Sequence, residues 1–511
     1  MISDSSTRGP FWAGLEGGIA RRWSLLPFGA ILTLIWVLLR RLHHAGLSRF
    51  PGPPLAAVSG LYKTYIEVLR QGCFVHKLEE LHARYGDVVR TGPNELHFSS
   101  PAAYMDIYNM NNRWDKDPAL YEAFGESDSS FGRLSYRDAK ERKNVLQSLF
   151  SKKAAVQAHH LVESKVVELC KAFEKSQGGP VDLLAAFRCL SIETIAYIFC
   201  GQSLGAIESP TFDAPIIQSM DEGVSYIMLM KHFPILQLLM NHFPPWMSKL
   251  LSPKANGMVD FRNFLEKQVR SLVADRRELQ KLPHTSTIYH LLLGPEVANP
   301  PSQLSILEET QTQVFAGESS GLTLMHGSFH IIQTPRVYRK LREELMAAWP
   351  DLEQPPSLAT LEQLPYLNAT VKESLRMGGG ATSPLLRIVP QTGAKIDGKF
   401  VPPGTVVGSS SHFVHRNGDV FDRPHEYIPE RWLDERRADM EQYLVAFGRG
   451  PRRCIGENFA WVILLTAMAH FYRKFDVELD PSSPAKLEWK DRFVPMYSSP
   501  HLTVRLQKVS Q

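Results

Sequence analysis

Cysteine is scarce in this chain. There are five, Cys73, Cys170, Cys189, Cys200 and Cys454, in 511 residues. The number is odd and no two are spaced C-x-x-C, which argues against a disulfide framework and against a zinc site. The body is therefore expected in a reducing compartment. The one sequon, Asn368-Ala369-Thr370, falls in a helical pattern and is not expected to carry a glycan. An excess of one charge is also missing: 57 Lys and Arg face 53 Asp and Glu, a net of +4. That balance lacks the electrostatic footprint of a nucleic-acid binder. No internal repeat, low-complexity tract or long βαβ alternation occurs, so Rossmann and TIM architectures are not expected. Hydrophobic residues make up 44% of the chain and charged residues 22%, ordinary for a globular protein with a large core.

Long uncharged runs are rare, with one exception. Trp23 to Leu39 reads WSLLPFGAILTLIWVLL, 17 residues without a charge, between Arg21-Arg22 and Arg40-Arg41. This length lies at the lower end for a membrane span of about 17–25 residues. Trp23 and Trp36 suit the two interfaces. The run is longer than a usual signal-peptide core, and no small-x-small cleavage site follows. The slightly more basic segment after it favours a cytosolic body. Residues 1–22 read as a short tail, 23–41 as a transmembrane anchor and 42–54 as a basic, proline-rich hinge. The hinge ends in Phe50-Pro51-Gly52-Pro53-Pro54, whose prolines fix φ and remove donors. Residues 55–511 read as one catalytic domain.

Helical spacing dominates that body. It predicts helices over Phe74–Tyr85, Ala139–Phe150, Ala154–Phe173, Val181–Phe199, Asn256–Leu279, Leu304–Thr334, Pro335–Ala348 and Leu361–Met377. Short strands are expected at Val88–Arg90, Leu96–Ser99, Leu386–Val389, Lys395–Ile396 and Thr405–Gly408. The expected fold is mainly α with small antiparallel β-sheets.

Cys454 stands in Phe447-Gly-Arg-Gly-Pro-Arg-Arg-Cys-Ile-Gly456, with a helical stretch, Glu457–Tyr472, directly after. A lone cysteine in a large protein is usually a small buried hydrophobe. Here Gly450 and Gly456 permit a tight turn and close backbone approach, and a helix start just after the cysteine stabilises a thiolate. The segment resembles the haem-binding signature of cytochromes P450, F-x-x-G-x-R-x-C-x-G, at all five fixed positions. Two further elements fall in that family's order. Glu373-Ser374-Leu375-Arg376 matches E-x-x-R, with both charges on one helix face. Pro429-Glu430-Arg431-Trp432 resembles P-E-R-F. The resemblance covers nearly the whole body, and Lys116-Asp117-Pro118, Phe124-Gly125-Glu126-Ser127-Asp128-Ser129, His412–His415 and Phe471–Phe475 are most similar to fungal secondary-metabolism members of the trichodiene-oxygenase-like group.

The resemblance implies the cytochrome P450 fold, a haem b cofactor and Cys454 as its axial iron ligand. It implies that Phe447 shields the sulfur and that Arg452 pairs with a propionate, with Arg142, Lys143 and Arg387 as further propionate candidates. Glu373, Arg376 and Arg431 would form a buried lock behind the cysteine loop. The implied activity is insertion of one oxygen atom of dioxygen into a lipophilic terpenoid, polyketide or mixed-origin metabolite. No flavin or NADPH-binding segment is recognised, so electrons are expected from NADPH through a separate NADPH–cytochrome P450 reductase. Lys140, Arg142, Lys143, Lys152, Lys153, Arg449 and Arg453 would form its basic docking face. The implied location is the endoplasmic reticulum membrane, single-pass. The pocket would draw on Trp114–Phe131, the 221–250 segment ending Phe243-Pro244-Pro245-Trp246-Met247, the oxygen-activating helix, Thr382–Leu386 and Pro495–Ser498.

One motif departs from the family. The oxygen-activating helix usually reads A-G-x-(D/E)-T, and here it reads Ala316-Gly317-Glu318-Ser319-Ser320. Ser319 holds the acid position and Ser320 the threonine position, while Glu318 lies one residue early, about 100° around the helix. Ser320 is therefore expected to order proton delivery. The altered helix also leaves open a haem-thiolate isomerase or dehydratase that needs no reductase, and a non-catalytic haem binder. Gly317–Gly321 matches the nucleophile elbow G-x-S-x-G as well, but a helical pattern on both sides argues against a strand–turn–helix.

Overall fold

The computed structural model describes residues 33, 36–39, 42, 46–236, 256–378 and 380–509. Most of the expected anchor, and Phe243–Met247, lie outside the described residues. Helices build most of the described protein. The main ones are α1 (Phe74–Tyr85), α2 (Pro101–Ile107), α3 (Tyr136–Leu146), α4 (His159–Lys175), α5 (Leu183–Cys200), α6 (Pro215–His232), α7 (Asn256–Ala274), α8 (Gln303–Gln333), α9 (Pro335–Ala348), α10 (Pro365–Gly378) and α11 (Glu457–Lys474).

Local chemistry sets their ends. In α1 the apolar residues Phe74, Val75, Leu78 and Leu81 share the buried face, and the helix stops at Gly86, whose φ of 88° few other residues adopt. The Asp182 carboxylate caps α5 by accepting from the amides of Leu184 (2.8 Å) and Ala185 (3.1 Å). Ser302 does the same for α8 through the Ser305 amide (3.1 Å). The expected Ala154–Phe173 helix is broken at Ala158 into a short helix, Lys152–Gln157, and α4. The helix expected from Ala139 begins a turn earlier, because Ser135 caps it.

At 31 residues, α8 is about 46 Å long and traverses the domain. It meets α5 at backbone distance: a Cβ on Gly321 would stand 2.5 Å from the Phe187 carbonyl oxygen, and one on Gly317 would stand 2.7 Å from Ile195 Cγ1. Because α8 is continuous through both glycines, Gly317–Gly321 is no nucleophile elbow. Among the described residues, the one helix long and apolar enough to cross a membrane is α5, and it is 89% buried in the core.

The strands form small sheets at the rim. One has order β1 (Val88–Gly92), β2 (Glu95–Phe98), β7 (Val406–Gly408), β4 (Arg387–Ile388). Its β2–β7 pair is parallel, with Leu96 opposite Val407, whereas every other named pair is antiparallel. A second sheet joins β3 (Pro180–Asp182), β11 (Thr503–Lys508) and β8 (Phe475–Leu479). Hairpins β5–β6 (Ala394–Ile396, Lys399–Val401) and β9–β10 (Trp489–Arg492, Val494–Tyr497) complete the set.

Candidate active site: the Cys454 loop and its cation cradle

Cys454 lies in the loop that enters α11. Its amide donates to the Phe447 carbonyl (2.8 Å), which closes the loop on itself. Gly450 has φ 76°, and a Cβ there would stand 2.5 Å from the Tyr108 carbonyl oxygen, so glycine is required. Gly456 has φ −80°, which any residue adopts, so backbone strain does not explain glycine at that position. Of the five cysteines, Cys454 alone is exposed. Yet enough protein surrounds it that burial pushes its thiol upward, opposed by a hydrogen bond from the Gly456 amide and by the charges of Lys143 and Arg453. An exposed side chain in such surroundings faces space inside the protein.

Four cations gather around that space: Lys116, Lys143, Arg387 and Arg452. Burial pushes Lys116 well down, and the charges of Arg452, Arg387 and Lys143 push it further. Burial and then Arg387 bring Arg452 down to about 10. Lys143 is lowered by burial, an effect that the nearby Cys454 opposes. None of the four forms a salt bridge with a carboxylate among the described residues. Their partners are neutral. Arg452 donates to the carbonyls of Arg133 (3.1 Å) and Leu134 (2.7 Å) and leaves its buried Nε unpartnered. Arg387 donates to the Tyr121 hydroxyl (2.9 Å) and to the Leu386 carbonyl (2.8 Å). Lys143 donates to the Arg453 carbonyl (2.7 Å), and Lys116 to the Phe131 carbonyl. Mutually repelling, desolvated cations without counter-charge fit a dianionic group such as the two propionates of haem.

Arg142, expected both at the propionates and on the docking face, does neither. It is 5% exposed and pairs with Glu309 of α8 (3.0 Å), because its helix phase turns it inward with Ala139 and Leu146. Lys116 was missed. It lies in the Lys116-Asp117-Pro118 phrase, and only the fold brings it to Arg387, with which it forms a β-bridge.

Behind the loop, the Glu373 carboxylate accepts from Arg376 Nε (2.9 Å) and Nη2 (2.8 Å), Arg431 Nε (3.1 Å), the Ile428 amide (2.9 Å) and Trp432 Nε1 (2.9 Å). Arg376 also donates to the His415 carbonyl (2.7 Å), and the His415 ring accepts from the Val445 amide (2.9 Å), two residues before Phe447. The charged lock thus reaches the cysteine loop through one histidine.

On α8, Ala316 is exposed and Ser319 half-buried, while Glu318 and Ser320 are buried. Ser320 lies about one turn after Ala316, and Glu318 turns toward α5. There it pairs with Arg188 (2.5 Å), whose guanidinium also holds Asp221 of α6 (2.6 Å). Burial pushes the Glu318 carboxyl upward, and Arg188 offsets this only in part.

A thiol at the entry to a helix, with a cradle of cations lacking carboxylate partners beside it, fits a haem-thiolate site. The chain belongs to the cytochrome P450 family, whose model matches residues 51–501. It is similar to fungal enzymes over most of its length. Cytochrome P450 monooxygenase flvC of Aspergillus flavus is 33% identical, with 90% of this chain and 91% of that protein aligned. Cytochrome P450 monooxygenase macH of Penicillium terrestre is 31% identical, with 88% and 91% aligned. Tryptophan 6-hydroxylase fscE of Fusarium equiseti is 29% identical, with 95% and 98% aligned. This protein is accordingly a haem-dependent monooxygenase of the fungal secondary-metabolism type.

Proposed function

We propose that Cys454 is the axial thiolate of haem b, that Lys116, Lys143, Arg387 and Arg452 hold the propionates, and that the enzyme hydroxylates or epoxidises a lipophilic metabolite. The observation that carries this is the cation cradle without a carboxylate beside an exposed thiol. Bound haem supplies dioxygen activation, favoured by electron push from a thiolate. The chain's residues do the rest. The Gly456 amide, at the N-terminus of α11, stabilises the sulfur as thiolate. The Glu373 lock holds the loop through His415. The exposed Ala316 would leave room for bound dioxygen, and the Ser320 hydroxyl would order proton delivery to it. Glu318 is tethered to Arg188 and does not take part.

Electrons come from NADPH through a separate reductase. Lys140, Lys152, Lys153 and Arg453 are exposed and supply its docking face. The body rests on the endoplasmic reticulum membrane. Leu55, Leu61, Tyr65 and Leu69 are exposed apolar residues after the hinge, and Phe233 and Ile235 follow α6. Glu67 accepts from Lys231 (2.9 Å) and His232 (2.5 Å), so the two apolar segments lie side by side. Exposed apolar residues on two neighbouring segments suit a lipid surface.

Turnover in microsomes, with and without NADPH and reductase, tests the reading. Product that needs both is expected. Product without either would establish the isomerase or dehydratase chemistry instead. Ser320→Ala is expected to lower the product formed per NADPH consumed, and unchanged coupling would sink the Ser320 assignment.

A further inference from the structure

Hairpin β9–β10 turns through a single residue, Phe493, between the paired Arg492 and Val494. Phe493 has φ 78°, a left-handed conformation that a bulky residue enters only at a cost. Such strain persists where the surroundings over-determine it, and here they do. The Phe493 amide donates to Asp491 Oδ1 (3.1 Å), and its carbonyl accepts from the amides of Thr382 (2.8 Å) and Ser383 (3.3 Å). Asp491 is 4% exposed and forms no salt bridge with a cation among the described residues. Its oxygens accept from Thr382 Oγ1 (2.9 Å) and from Ser383 Oγ (2.9 and 2.8 Å). One buried carboxylate therefore ties the hairpin apex to residues 382–383.

What it holds in place is an aromatic ring. Phe493 stands edge-on to Phe124 (centroids 5.1 Å apart, 75°) and to Phe131 (5.6 Å, 74°), and those two meet at 5.0 Å and 83°. All three are only half-buried. Phe131 lies 5.4 Å from Tyr121, and the Lys116 ammonium sits over both of these rings at 4.7 and 4.2 Å. The wall of rings thus runs without a break from the cation cradle, and where the cradle holds propionates the rings stand at the haem's edge.

We propose that Asp491 is a positioning residue: it holds Phe493 in its left-handed turn so that Phe493, Phe124 and Phe131 form a rigid aromatic wall that selects flat unsaturated substrates over flexible alkyl ones. The inference rests on the haem site proposed above. Fixed ring edges and faces carry opposite partial charges, and a flat π-system meets both without freezing rotamers. An alkyl chain gains burial alone and loses conformational freedom.

Two iron-binding probes of equal carbon count, 1-phenylimidazole and 1-hexylimidazole, test this in the haem-loaded enzyme through their Soret shifts. Asp491→Ala and Phe493→Gly are each expected to lower the phenyl-to-hexyl affinity ratio about tenfold, the worth of one or two edge-to-face contacts. Asp491→Asn keeps an oxygen for the Phe493 amide and is expected to stay within about twofold of the parent. The double variant D491A/F493G should fall no lower than either single one, because both changes remove the same wall. An unchanged ratio in Phe493→Gly overturns the wall, and multiplying effects in the double variant overturn the role of Asp491. Should Asp491→Ala not fold, Asp491→Leu, which fills the space without an acceptor, takes its place, and an unchanged ratio there overturns the role of Asp491. No Soret shift with either probe in the parent enzyme counts against the haem reading itself.

Discussion

Removing the Glu373 carboxylate should loosen the cysteine loop from behind. Glu373 is 0% exposed and accepts from five donors belonging to Arg376, Arg431, Ile428 and Trp432. Glu373→Ala leaves two buried guanidiniums without counter-charge, a loss of about 3–5 kcal/mol. The orphaned Ile428 and Trp432 donors add about 1–3 kcal/mol each where water does not reach them, although such terms do not sum. Against a typical stability of about 5–15 kcal/mol, the change is large. Urea unfolding, followed by haem release, measures it. Lys372→Ala is the control, because the Lys372–Glu441 pair is partly exposed and worth about 1 kcal/mol or less. Burial alone would raise the Glu373 carboxyl, but the hydrogen bonds and charges of Arg376 and Arg431 hold it below its usual range. A depressed carboxyl contributes stability that is fully present above its unfolded value of about 4.3 and is lost as pH falls through the folded one. The gap between the parent and Glu373→Ala should therefore close in acid. A Glu373→Ala variant within about 1 kcal/mol of the parent at neutral pH, with haem retained, would refute this reasoning.

Lys116→Met keeps the side-chain stem and removes the ammonium. It should weaken haem retention about tenfold to a hundredfold, the worth of one charge-assisted hydrogen bond, as measured by haem transfer to apomyoglobin. Glu126 accepts from Gln311 (3.0 Å) and Thr312, and burial pushes it up to about 7. Between the unfolded value and about 7 the folded state keeps a proton that the unfolded state releases, so stability falls across that window as pH rises. Glu126→Gln removes this dependence. Relative to the parent it should gain up to about 3 kcal/mol from pH 5 to pH 8, read from denaturant midpoints, and a constant difference would contradict the assignment.

Local signals were the legible ones. Helices α1 and α9 match their expected bounds because Gly86 ends one and Pro335 starts the other, next to strongly periodic apolar faces. The cysteine loop was legible for the same reason: its ring of contacts, Phe447 to Cys454, is contained in ten residues of chain. The β3–β11–β8 sheet was not, since it pairs Pro180 with Arg505 and only the closed fold selects that register. The Lys116 cradle failed to show for the same reason, because Lys116 and Arg452 are far apart in sequence. Arg142 could have been placed correctly: Ala139, Arg142 and Leu146 follow i, i+3, i+7, one buried stripe, and an arginine in such a stripe needs an internal carboxylate. The one-residue offset of Glu318 from the family's acid position was legible, but its burial against Arg188 was not, because that partner belongs to α5 and carried no local signal.

The central claim is that Cys454 ligates haem iron as a thiolate. The carbon monoxide difference spectrum of the dithionite-reduced protein in microsomes, taken beside Cys454→Ala, addresses it directly. The parent should give the red-shifted Soret band of thiolate-ligated haem and Cys454→Ala should not, whether or not it retains haem. A folded parent protein that shows no haem, or a red-shifted band that survives in Cys454→Ala, would contradict the account.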